Sequence, residues 1–145
     1  MERIISHIDP SRLLHVIYRR EDLVGQSARG VNLSPDPMAL QARAINARGG
    51  EVFPAHKHPP QDRHTTATQE SLVIIEGAIE ATYHDIDDSV LHITTLRTGD
   101  CVVSFEGGHG YRVIEPTIMY EYKNGPYNGM EKDKIALHIQ PKEGN

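Results

Sequence analysis

Glu70-Ser71-Leu72-Val73-Ile74-Ile75-Glu76-Gly77 runs directly into Ala78-Ile79-Glu80-Ala81-Thr82-Tyr83-His84. Both halves are rich in β-branched and aromatic residues, which suit a pleated and partly buried surface. The pattern predicts two strands meeting at Gly77, where glycine lets the backbone turn without a Cβ in the way. A charged turn, Asp85 to Ser89, follows, and Val90 to Leu96 then reads as a third strand.

The same signals continue downstream. Thr98-Gly99-Asp100 turns the chain into Cys101 to Phe105, and Tyr111 to Ile114 and Thr117 to Lys123 read as further strands. Upstream, Pro59 to Thr68 is polar and lacks periodicity, so it reads as a loop. Glu51-Val52-Phe53 is expected to be extended and to lead into His56, after a turn at Gly49-Gly50. Met38 to Asn46 alternates in character and is expected to be a strand, although its residues also favour helix. Two prolines, Pro35 and Pro37, keep the connection before it irregular. In the first thirty residues, Ser11 to Ile17 reads as a short helix or, alternatively, Leu13 to Tyr18 as an opening strand; mixed, partly extended structure is expected. Many short strands between turns, with no convincing long helix, indicate an all-β sandwich or barrel. A double-sheet jelly roll is the variety whose interior commonly carries a site.

A chain of 145 residues accommodates one well-buried core. Its formal net charge of -5 and scattered basic residues argue against nucleic acid as partner. No apolar run approaches the ~20 residues of a membrane span, so no membrane association is expected. The first residues lack the apolar stretch of a signal peptide. The single cysteine, Cys101, excludes an intrachain disulfide and reads as a small buried residue. A cytoplasmic location is expected on these grounds.

Chemistry concentrates in the histidines. His56 and His58 stand at i and i+2, a spacing that puts both side chains on one face of a strand. His109 follows in a glycine-rich turn, and Glu70 opens the apolar strand between them. Three imidazoles and a carboxylate from separate strands are a donor set for one divalent transition metal, with iron, manganese, nickel and zinc all compatible. Asp62 is the alternative carboxylate. The isolated His7, His15, His84, His92 and His138 read as exposed or hydrogen-bonded side chains.

With these residues the sequence resembles the cupin superfamily. Gly50, His56, His58, Glu70 and Gly77 follow that family's first motif, with a longer gap between His58 and Glu70. Gly99, Gly107 and His109 follow the second, with Phe105 at the proline position and His109 one residue early. The tail, Glu121 to Tyr127 with Lys132-Asp133-Lys134, is similar to small cupins associated with bacterial surface-polysaccharide synthesis. The resemblance implies one cupin domain over 1–145, with an N-terminal extension and edge strands over 1–37 and an antiparallel jelly-roll barrel over 38–140. It implies a metal held by His56, His58, Glu70 and His109, and a homodimer.

The expected activity is isomerisation or epimerisation of a sugar, sugar nucleotide or other small polar metabolite. Glu70, His64, Tyr83 and Tyr111 are the candidates for moving the proton. Arg63, Arg112 and Glu121 are candidates for holding the substrate. The alternatives are a metal-free sugar-nucleotide isomerase, an Fe(II) dioxygenase, and a non-catalytic module that binds a small ligand.

Overall fold

The computed structural model describes residues 1–25 and 29–137; His138 and the last residues of the expected barrel lie outside them. Among the described residues, ten strands and two short helices follow one another: β1 (Glu2–Ile5), β2 (Leu13–Tyr18), α1 (Arg20–Val24), β3 (Gly30–Asn32), β4 (Arg43–Ile45), β5 (Glu70–Glu76), β6 (Ala78–His84), β7 (Val90–Arg97), β8 (Cys101–Ser104), β9 (Gly108–Val113), β10 (Ile118–Lys123) and α2 (Met130–Asp133). They form a five-stranded sheet in the order β1-β2-β8-β5-β10, a three-stranded sheet β7-β6-β9, and the small pair β3-β4. All described pairings are antiparallel. The fold is therefore all-β. The strand order leaves sheet edges at β1, β10, β7 and β9, without closure into a barrel.

β5 and β6 act as one ribbon that passes from the large sheet to the small one at Gly77. Gly77 has φ +86°, and a Cβ there would run into the backbone of Pro116. On one flank β7 and β8 pair with β6 and β5; on the other, β9 and β10 do the same. Each flanking ribbon also changes sheets, so every strand of the small sheet is continued by one of the large sheet.

The alternation of β5 decides what lies between the sheets. Leu72 and Ile74 are buried with Ile4, Ile17 and Val102 of the large sheet against Ile79, Ala81, Tyr83 and Leu96 of the small one. Fully burying side chains of this size contributes about 1.5–3 kcal/mol each. The opposite face of the large sheet is covered by chain from before β5. Val16, Tyr18, Val103 and Phe105 pack there with Leu33, and with Leu23, Val31, Met38, Leu40, Ala42 and Ala44. β2 is thus buried on both faces and lies inside the sheet, between β1 and β8, where an extension or edge strand was expected.

The strand expected over Met38 to Asn46 is confined to Arg43–Ile45. The chain from 46 to 69 has no regular structure, and every residue from 47 to 68 is exposed. Pro54, Pro59 and Pro60 supply no backbone donors, and Val52 and Phe53 find no apolar surface to cover, at 76% and 52% exposure. The extended lead into His56 therefore does not become a strand.

Candidate functional site

A cavity of about 480 Å³ opens between the two sheets, at the end where β5 begins and β10 ends. The register explains its lining. Glu70 pairs with Lys123 of β10 on one side and with Ser104 of β8 on the other, so the three side chains share the inner face. Glu121, two residues before Lys123, is on that face too. From the small sheet, His109 and Tyr111 point inward because their partners on β6, Tyr83 and Ala81, belong to the core.

Glu70 and His109 meet across the gap. Nε2 of His109 lies 3.2 Å from Oε1 of Glu70, which is only 7% exposed and has no hydrogen bond among the described residues. Burial alone would raise the Glu70 carboxyl. The contact with His109 and the positive charges of His109, Lys134 and Lys123 outweigh it, and the group sits below its ordinary value. Glu70 is therefore a carboxylate at neutral pH. Tyr111 stacks on His109 with ring centroids 5.3 Å apart. Burial, helped by Tyr83, Glu70 and Glu121, pushes the Tyr111 phenol upward, so it remains a proton-bearing donor.

Further walls come from Thr68, Asp88 and the Glu106-Gly107-Gly108 turn, and from the chain after β10. Asp133, Lys134, Ile135 and Leu137 fold back over the opening. Nζ of Lys123 lies 3.6 Å from Oδ2 of Asp133 and 4.4 Å over the Tyr127 ring, which fastens this segment to the strand. Beneath it, the backbone N–H of Gln69 donates to Oδ1 of Asn124 at 2.6 Å, and the Asn124 N–H donates to the Gln69 carbonyl at 3.2 Å. These bonds fix the start of β5, and with it Glu70, against the end of β10.

Behind the cavity lies a buried polar layer. His15 is fully buried, its Nδ1 2.9 Å from Oγ of Ser104 and its ring 4.5 Å from that of Tyr83. Gly107 has φ +76°, and a Cβ there would meet the His84 carbonyl and approach Nε2 of His15. Burial, followed by the charge of His109, lowers His15 to about 3, so it is neutral near pH 7.

Of the expected site residues, Glu70, His109, Tyr111 and Glu121 come together. Tyr83 lies in the core behind them, fully buried, and does not line the cavity. Arg112 is a correction: it alternates with Tyr111 onto the outer face, where its Nε donates to Oε1 of Glu80 at 3.1 Å. His56, His58, Asp62, Arg63 and His64 all lie on the exposed segment and outside the lining. The rings of His56 and His58 stand 5.2 Å apart, and Nδ1 of His56 lies 3.0 Å from the Pro54 carbonyl.

Among the described residues no group of three or more His, Cys, Asp or Glu side chains could hold a metal ion. Of the four expected ligands, Glu70 and His109 meet across the sheets, and His56 and His58 lie together on the exposed segment. His15, Ser104, Lys123, Asp133 and Lys134 were not anticipated as part of the site. For Lys123 a signal was present, since it stands two residues from Glu121 in the same strand.

No family model, no curated protein and no solved structure matches the chain. No helix among the described residues is long and apolar enough to cross a membrane.

Proposed function

We propose that this chain is a small-metabolite isomerase or epimerase of the cupin type, whose inter-sheet cavity moves a proton on a sugar-like substrate. One observation carries the reading: a carboxylate and an imidazole from opposite sheets meet 3.2 Å apart in the wall of a 480 Å³ cavity. The volume is in the range of about 300–1,000 Å³ that suits one small ligand. Two antiparallel sheets joined by ribbons that change sheets support the jelly-roll part of the reading.

In this mechanism Glu70 accepts a proton from the carbon beside a carbonyl, His109 returns one to the neighbouring carbon from the same side, and the substrate hydroxyl's proton passes to the former carbonyl oxygen. Tyr111, held in its protonated form, donates a hydrogen bond to the oxygen on which negative charge develops. Ser104 and Thr68, also in the lining, bind substrate hydroxyls.

The test is NMR-detected exchange of substrate C–H for solvent deuterium across a panel of aldoses and ketoses. Exchange is expected with the native chain and is expected to fall by at least about 100-fold in Glu70→Gln and in His109→Gln, the scale of one acid–base group. Retention of exchange in both variants would overturn the reading. Loss of exchange on chelation, restored by a divalent ion, would replace it with a metal centre drawing on His56 and His58.

A further inference from the structure

Resting on the acid–base reading of the cavity, we infer that its ligand is an uncharged or amine-bearing polyhydroxyl compound, and that phosphorylated and nucleotide-linked sugars are excluded. Among the described residues the lining contains five carboxylates, Glu70, Asp88, Glu106, Glu121 and Asp133, against two lysines and His109, and no arginine. Most of the positive charge is already engaged. Lys123 is held between Asp133 and the Tyr127 ring, and His109 faces Glu70. Glu106 is neutralised by Arg12, whose Nε donates to it at 2.7 Å.

Glu121 and Asp88 make no ion pair among the described residues. Glu70, by contrast, has its Oε1 facing His109. The cavity therefore presents acceptors in excess, which match ligand O–H and N–H donors. A phosphate brings acceptors and negative charge to the same place. It would be repelled by the free carboxylates, and among the described lining residues only Lys134 is without an ion pair to meet it. Glu121 has two oxygens, suited to a pair of adjacent hydroxyls or to an ammonium group.

Isothermal titration with free hexoses and hexosamines, against the matching hexose 6-phosphates and nucleoside-diphosphate hexoses, tests this inference. The free sugars are expected to bind at least about tenfold more tightly than their phosphorylated forms. Glu121→Lys is expected to narrow or reverse that ratio, and circular dichroism would verify that the variant is folded. Equal or tighter binding of the phosphorylated sugars, or binding of neither class, would overturn the inference. Deuterium exchange on a phosphorylated sugar, dependent on Glu70, would overturn this ligand class while leaving the acid–base reading standing. Tight binding of free sugars without exchange would do the reverse.

Discussion

His15 illustrates how far burial alone can move a side chain's chemistry. An exposed imidazole takes a proton near pH 6.5, whereas His15, enclosed between Ser104, Tyr83 and the Gly107 turn, holds out to about 3. Between those limits the unfolded chain carries a proton on His15 that the folded chain does not. Acid therefore favours unfolding throughout this window, and the stabilisation is fully present only above about pH 6.5. In urea titrations at stepped pH, His15→Gln is expected to lose stability less steeply than the native chain between pH 6.5 and 4. Parallel curves for the two proteins would contradict a neutral His15. Asp100 carries a different load: it is 5% exposed and accepts from Nη1 of Arg19 at 3.1 Å and the backbone N–H groups of Arg20 and Arg97 at 3.1 and 2.9 Å. Asp100→Ala leaves a guanidinium and two amides without this acceptor, and is expected to cost about 2–4 kcal/mol in denaturant unfolding.

Among the elements, the ribbon bends are the least replaceable parts. At Gly77 both the positive φ and the Pro116 backbone exclude a side chain, so Gly77→Ala is expected to destabilise by about 2–4 kcal/mol. Gly110→Ala is the control: nothing lies within 4 Å of a Cβ there, and its effect is expected to stay within about 0.5 kcal/mol. A similar midpoint shift for both would remove the bend from the argument. These elements were also the most legible in the sequence. The strands over 70–84 and 90–97 have the β-branched content and flanking turns that local reading detects, and β5 and β6 begin and end where the residues indicate. The histidine pair was not legible in this way. Its i, i+2 spacing means a common face only within a strand, and the segment is flanked by prolines without donors and lacks apolar cover for one. The wall formed by Lys123, Asp133 and Lys134 depends on how the chain after β10 folds back, which no local pattern encodes.

For the molecule as a whole, two sheets carry the stability while the chain from 47 to 68 crosses the surface with every residue exposed. Brief trypsin treatment is expected to cut at Arg48, Lys57 or Arg63 before any site within the sheets, and to leave the β-sheet circular dichroism intact. First cleavage inside β7 or β9 would show that the small sheet is the weaker part. The meeting of Glu70 with His109 has a further result, because one side chain is anchored to β5 and the other to β9. Their separation works as a gauge of how firmly the two halves clasp each other. A slight hinge along the open seam would part the two before any ladder broke. On the proposed acid–base reading, substrate exchange should accordingly fade at lower urea concentrations than the far-ultraviolet signal, and a disulfide engineered to pin that seam should bring the two midpoints together.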